Sequence, residues 1–470
     1  MPVNVEHIEA DLAVIGFGKG GKTLAATLGR QGRRVVMIEQ SALMYGGTCI
    51  NIGCVPTKSM VYRSEHLTPG GVYDDAYRSA VGATADLTTD LRAVNFAMLD
   101  NLDTVTVLTG HARFTDPHTL QVQTVDGATI TVVAQSIVVG TGSRPVLPDI
   151  PGLASTPQVQ TSTEMLSLPE LPARLAVLGG GYVGLEFAAM YARYGSTVTV
   201  LERGSQILRR EDADVSECLQ DILRSSGIQI VTSAEVTSVS EVGPAAAVTY
   251  RAGGVEHTVE ADAVLVALGR EPVTDDLGLA EAGVETTSAG AIVVDEFLRS
   301  SQPHIFAVGD VNGGPQFTYI SLDDYRVVLS QLTGDGSRST ATRTAVPYAL
   351  FTTPPLARVG LTEGAAAAAG MDILVATLPV AAMATVPRAR IVDETAGLMK
   401  VVVDASTDKI LGAALLSYDS HEVINTVALA MRHGITATEL RDTIYTHPSM
   451  TEAFNQLLGA LAAPSSRSGA

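Results

Sequence analysis

The chain has 470 residues, room for about three domains at roughly 150 residues each. Hydrophobic residues make up 46% and charged residues 17%, the balance of a folded globular protein rather than a disordered one. Acidic side chains outnumber basic ones by 50 to 31, and the net charge of −19 repels nucleic-acid phosphates and anionic membranes, so neither is expected as a partner. No apolar run approaches the roughly 18 to 20 residues of a membrane span. The N-terminus carries acids where a signal peptide has basic and apolar regions, so a cytoplasmic location is expected. Three cysteines are too few for a disulfide scaffold. In a reducing compartment a close cysteine pair reads as catalytic or metal-binding.

In chain order, residues 11–16 read as a short buried strand, 17–32 as turn and helix, and 35–39 as a second strand, a βαβ unit. Gly16, Gly18 and Gly21 fall where the strand turns into the helix. Glycines there permit a tight turn and let a pyrophosphate approach the positive helix N-terminus. Glu39 ends the second strand, placed to accept from ribose hydroxyls. The segment Gly46-Gly47-Thr48-Cys49-Ile-Asn-Ile-Gly-Cys54-Val-Pro-Thr-Lys58 follows. Its cysteines can close a small ring if the backbone turns, and helix amides would lower a thiol pKa, giving a thiolate that attacks substrates or binds soft metal ions. The alternative is two unconnected buried thiols. A helical stretch is expected near 84–103, then a strand exit at 138–145 containing Thr141 and Gly142.

The whole pattern returns at 174–202. Gly179, Gly181 and Gly184 repeat the glycines, Glu202 stands at the same interval from the first of them, and 266–272 repeats the exit with Gly269 and Arg270. Two copies with equal spacing to an acid are a strong signal for two dinucleotide sites. A carboxylate at Glu202 repels a 2′-phosphate, which favours NADH, although the adjacent Arg203 leaves NADPH open. Residues 334–343 read as a linker, 398–404 and 410–416 as hairpin strands, and 421–433 and 449–462 as amphipathic helices. The expected fold is α/β: two Rossmann-like dinucleotide-binding domains and a C-terminal α+β domain. Cys218 belongs to an apolar helical stripe and reads as core, and His421 as first-turn helix structure.

The chain resembles the class I pyridine nucleotide–disulfide oxidoreductases over nearly its whole length. The resemblance implies FAD at the first fingerprint and NAD(P)H at the second. It implies an FAD domain in two parts, 1–150 and 272–345, around an NAD(P) domain, 151–271, with a dimerisation domain at 346–462 and a tail at 463–470. It makes Cys49 the interchange thiol and Cys54 the thiol that forms a charge-transfer complex with flavin. Gly47, Thr48, Thr141, Gly142, Gly269 and Arg270 join the cofactor-binding set. Lys58 is expected to pair with Glu186 beside the flavin N5, and Tyr182 to cover the nicotinamide pocket. Gly309 and Asp310 fall in a second flavin motif, Asp310 bonding the ribityl chain. His447 and Glu452, in His-Pro-Ser-Met-Thr-Glu, resemble the family's proton-transfer dyad, which reaches the thiols from the other subunit of a homodimer.

Within the family, no cysteine follows His447, whereas mercuric reductases carry a further C-terminal pair. The stretches 313–326 and 352–360 and the Thr377-Leu-Pro-Val run look like the bacterial reactive-chlorine-resistance flavoenzymes, which are copper(II) reductases. That likeness implies transient copper at Cys49 and Cys54. The segment 381–388 looks longer than in enteric members of that group and is expected to alter the entrance near the interface domain without touching the redox core. Two other readings stay open: a dihydrolipoamide dehydrogenase-like or other disulfide reductase (or a mercuric reductase-like enzyme), and a copper-binding or redox-sensing protein without sustained turnover.

Overall fold

A computed structural model describes residues 6–68 and 72–464. The last residues of the expected tail, 465–470, lie outside the described residues. The first unit runs β1 (Glu6–Ile15), α1 (Lys19–Arg30), β2 (Val35–Glu39), α2 (Thr48–Asn51), α3 (Cys54–Glu65) and α4 (Tyr73–Asp100). The strands β3 (Val105–Asp116), β4 (Thr119–Thr124) and β5 (Thr129–Val139) complete it. β1 pairs in parallel with β2 and β5, β2 with the first half of β3, and β5 with the later strand Ile305–Ala307. Both faces of the second half of β1, Leu12–Ile15, are buried, as a parallel sheet requires. Leu12 and Val14 meet Leu24 and Leu28 of α1, while Ala13 and Ile15 join the core of the β3–β4–β5 meander around Phe114, Leu120 and Val132. That two-sided burial fixes the end of β1, and with it the turn that follows.

The second unit repeats this plan with β6 (Arg174–Leu178), α5 (Tyr182–Arg193), β7 (Thr197–Leu201) and α6 (Ala213–Ser225). Its parallel sheet has the order 229–231, β7, β6, 263–266, 159–160. Leu175 and Val177 point to the helices, and Ala176 and Leu178 to an antiparallel three-stranded sheet spanning 235–261. Cys218 is half-buried against the helix-side core, as expected.

Helix α7 (Thr318–Thr333) precedes a five-stranded antiparallel sheet containing Tyr348–Leu350, Leu356–Gly360, Ile373–Pro379, Leu398–Asp404 and Ile410–Leu416. Helix α8 (Ser420–His433) covers one face through Val423, Ile424 and Val427. The hairpin strands have the bounds expected from sequence.

Four details differ from expectation. β1 begins at Glu6 because its first half pairs with Ile130–Ala134 of β5. α4 starts at Tyr73, well before 84; Thr84 and Thr88 are among its buried residues, and threonines give no apolar periodicity to read. The expected helix over 449–462 shortens to Ala453–Leu457 and a 3-10 turn, since Ala462 bridges to Val375 as an extended residue. The 334–343 stretch is no free linker: Arg338 and Arg343 are ion-paired to Asp323, and Arg343 also to the buried Asp324.

Candidate active site

A cavity of about 2140 Å³ runs from Gly16, Gly18 and Glu39, past Cys49 and Cys54, to Tyr182 and the α8 residues His421 and Asn425. The two fingerprint turns are built by the same local device, although only the first lines this cavity; Gly179, Gly181, Gly184 and Glu202 do not. Gly16 has φ 98°, and a Cβ there would overlap the Gly140 carbonyl, so only glycine fits. Gly179 has φ 109° against the Ala267 carbonyl in the same way. Gly18 and Gly181 cap α1 and α5 with no side-chain acceptor, which leaves the first helix amides available to a phosphate.

The acids have a further task that sequence did not reveal. Glu39 Oε2 accepts from the Phe17 amide at 2.9 Å, and Glu202 Oε2 from the Gly180 amide at 2.8 Å. Each carboxylate therefore ties its fingerprint turn to the end of the neighbouring strand. Burial pushes the Glu39 pKa up, opposed by the amides it accepts from.

Cys54 is the first residue of α3, and Cys49 lies in α2. Both are free thiols. Asn51 holds the bend between them: its amide donates to the Tyr45 and Gly47 carbonyls at 3.0 Å, and its oxygen accepts from Arg92 of α4 at 2.9 Å. The buried Lys22 ammonium donates to the Gly46 carbonyl at 3.4 Å and to Asn95 of α4, and burial pulls its pKa down to about 8. Cys54 is pulled down to about 6, first by a hydrogen bond from Cys49, then by Thr318, whose hydroxyl lies 3.7 Å from the sulfur, and by the Lys58 charge. Cys49 is pushed up because it serves as the donor in that pair and is partly buried. The pair is thus polarised, with the negative charge on Cys54.

Lys58 Nζ lies 2.6 Å from Glu186 Oε2, and the buried Glu186 also accepts from the Phe351 amide at 2.9 Å. Asp310 accepts from Ser143 Oγ at 2.6 Å, and Arg270 donates to the same hydroxyl at 2.8 Å. Burial lowers the Arg270 pKa, and Asp310 and Cys54 oppose the shift. Thr141, Gly142, Gly309, Gly47 and Thr48 line the cavity beside them, whereas Gly269 does not. A Cβ on Gly142 would meet nothing within 4 Å and would project into space that a bound group can use.

Tyr182 opens α5 and donates to Glu211 Oε1 at 3.0 Å. His447 does not line this cavity. It is exposed, with Nδ1 2.9 Å from Glu452 Oε2, and Glu452 is oriented by the Ser449 amide at 3.0 Å. The 381–388 segment does not line the cavity either; Met383 and Val386 are buried in the core of the antiparallel sheet. His421 is the second residue of α8, its ring tilted against Phe351 at 5.3 Å and its Nδ1 buried without a partner. Among the described residues no three His, Cys, Asp or Glu side chains cluster to hold a metal ion, and no helix is long and apolar enough to cross a membrane.

Two glycine-and-acid nucleotide cradles flanking a polarised cysteine pair define a flavin-dependent oxidoreductase that draws on NAD(P)H. The chain belongs to the pyridine nucleotide-disulphide oxidoreductase family, whose model matches residues 10–324, and the model of that family's dimerisation domain matches 346–458. It is 46% identical over 445 residues to a probable pyridine nucleotide-disulfide oxidoreductase, RclA, of Escherichia coli K12, covering 94% of this chain and 97% of that one. A solved Cu(II) complex of the HOCl-induced flavoprotein disulfide reductase RclA from Escherichia coli superposes with a TM-score of 0.90 at 45% identity, covering 96% and 99%. A mercuric reductase of Staphylococcus aureus is 35% identical over 94% of this chain and 80% of its own length. A dihydrolipoyl dehydrogenase of Bacillus subtilis is 32% identical over 95% of both chains.

Proposed function

We propose that this enzyme reduces Cu(II) to Cu(I) at Cys49 and Cys54 with electrons from NADH, as a cytoplasmic homodimer defending against reactive chlorine. The observation that carries the reading is the placement of two free thiols, Cys49 on α2 and Cys54 at the start of α3, in one cavity beside Thr318 and the Lys58–Glu186 pair. The Cu(II) complex of the Escherichia coli relative supports copper as the substrate. Soft sulfur stabilises Cu(I) over Cu(II). Oxidation of one thiol and one thiolate to a disulfide releases one proton and two electrons, enough for two copper ions.

The residues at the first fingerprint fit FAD: uncapped α1 amides for the pyrophosphate, Glu39 for the ribose, Asp310 for the ribityl chain, and the open space at Gly142. When bound, flavin supplies the ring that takes hydride from the nicotinamide and passes electrons to sulfur. Lys58, fixed by Glu186, holds a positive charge where negative charge develops. Cys54 keeps its thiolate toward that ring, and Cys49 meets the acceptor. Glu202 repels a 2′-phosphate, so NADH is the preferred donor. Tyr182 covers the nicotinamide pocket until the donor enters. His447, oriented by Glu452, serves proton transfer across the dimer.

One observation favours a second reading. The intact His447–Glu452 pair is the equipment of a disulfide reductase, so a lipoamide-type acceptor is the alternative. Anaerobic NADH oxidation with Cu(II), Hg(II), lipoamide and glutathione disulfide, compared side by side, separates them. Copper is expected to be turned over fastest, and efficient lipoamide turnover with no thiol-dependent copper reduction would establish the alternative.

A further inference from the structure

Glu211 is buried and carries three bonds from two different parts of the molecule. Its Oε1 accepts from Tyr182 at 3.0 Å and from Tyr348 at 3.0 Å, and its Oε2 accepts from Arg358 Nη1 at 2.9 Å. Tyr348 and Arg358 face one another across adjacent antiparallel strands, so the register of that sheet delivers both to one carboxylate. The Tyr348 ring stands edge-on to Tyr182 at 5.6 Å and stacks on Phe317 at 5.8 Å. Among the described residues Arg358 Nη2 is buried with no hydrogen-bond partner. No other acceptor among the described residues is in reach of the guanidinium, so departure of Glu211 would strand a buried charge, and the carboxylate is held in place. Burial also pushes both phenol pKa values up, Tyr348 to about 12, so both rings remain donors.

We propose that Glu211 is the latch of the nicotinamide gate, and that Tyr348 tunes it by sharing with Tyr182 the charge of a single carboxylate oxygen. The inference rests on the reading of Tyr182 as the gate. Opening breaks the Tyr182–Glu211 bond, so the latch sets how tightly NADH is bound rather than how fast hydride moves. Glu211, Tyr348 and Arg358 are positioning residues here.

The two tyrosines have opposite predicted effects, which a purely structural role would not produce. Tyr182→Phe keeps the ring and removes the latch bond. Tyr348→Phe keeps its ring and leaves Oε1 wholly to Tyr182, which tightens the latch. The readout is the concentration dependence of anaerobic flavin reduction by NADH in the FAD-loaded enzyme, which gives an apparent dissociation constant and a limiting rate. Tyr182→Phe is expected to lower the dissociation constant about tenfold and Tyr348→Phe to raise it about threefold, the scale of one hydrogen bond to a charged group. The limiting rate of Tyr348→Phe is expected to stay within about twofold. Tyr182→Ala reports on the gate itself and is expected to lower the constant at least as far as Tyr182→Phe. If Tyr182→Ala shifts NADH binding but the two phenylalanine variants move it together or not at all, the latch is refuted and the gate stands. If Tyr182→Ala leaves binding unchanged, the gate reading fails and the latch with it.

Discussion

Cys54 carries a depressed pKa of about 6 through three separate contacts: Cys49, Thr318 and Lys58. The sign of its pH dependence follows. A thiol lowered from about 9 is a thiolate above about pH 6, and the stability this contributes is complete above 9 and lost as pH falls through 6. In the two-electron-reduced enzyme, the long-wavelength thiolate-to-flavin absorbance is therefore expected to rise with pH through a midpoint near 6. Thr318→Val and Lys58→Met each remove one stabilising contact and are expected to move that midpoint upward, read by titrating the band. Cys54→Ser is expected to abolish the band while flavin stays bound and reducible by NADH. Survival of the band in Cys54→Ser and its loss in Cys49→Ser would reverse the two thiol roles. The cysteines themselves were legible because their spacing and setting are local. Thr318 was not, since its contact with Cys54 joins positions 264 residues apart. Lys22 was missed for another reason: in sequence it is one more polar residue in the first helix, and only folding shows it buried against the Gly46 carbonyl.

The two fingerprints are strand–turn–helix elements of equal design, so matched substitutions separate their duties. Gly16→Ala forces a Cβ into the Gly140 carbonyl at positive φ, and Gly179→Ala does the same at Ala267. Gly16→Ala is expected to yield protein largely without flavin absorbance near about 450 nm. Gly179→Ala is expected to keep that absorbance but lose reduction by NADH, while chemical reduction still works. Flavin loss from Gly179→Ala alone would mean that the two cradles are assigned the wrong way round. Glu202→Ala is expected to narrow the preference for NADH over NADPH in kcat/KM. Because Glu202 also holds the Gly180 and Gly204 amides, the KM for both donors is expected to rise as well. A wild-type preference for NADPH would show that Arg203 governs the 2′ position. These repeats were readable because turn glycines and a strand-ending acid are fixed by backbone geometry over a short span. The meander 105–139 and the sheet 235–261 were not, since their strands take their order from partners chosen in the fold, and pairing leaves little mark in a single sequence.

At the scale of the whole molecule the parts are joined by buried charge. The Lys400 ammonium, 2% exposed in its side chain, lies 3.3 Å from Asp212, 2.9 Å from Asp214 and 2.6 Å from Glu363, and so pins the antiparallel sheet to the second nucleotide unit. None of this joint is legible in the sequence, where nothing in the local pattern sets these four charges apart from the rest of the 31 basic and 50 acidic side chains. The C-terminal dyad was visible only through its resemblance to the family, since one exposed histidine among nine carries no signal of its own. Within one chain His447 stands outside the cavity, and the matched dimerisation domain is what would bring it to the thiols of a second copy. That placement makes the dyad a test of the acceptor. Copper reduction moves single electrons and needs no proton delivered to a departing thiol, whereas disulfide reduction does. His447→Ala is therefore expected to retain most NADH-driven Cu(II) reduction while losing any disulfide reductase activity by about 10²-fold or more, the usual contribution of a positioned acid–base group. Replacing Cys49 and Cys54 together is expected to cut copper reduction severely, leaving slow direct transfer from flavin. A wild-type enzyme that turns over lipoamide efficiently, yet reduces Cu(II) no faster than the cysteine-free variant, would overturn copper as the substrate and leave the flavin and thiol assignments intact.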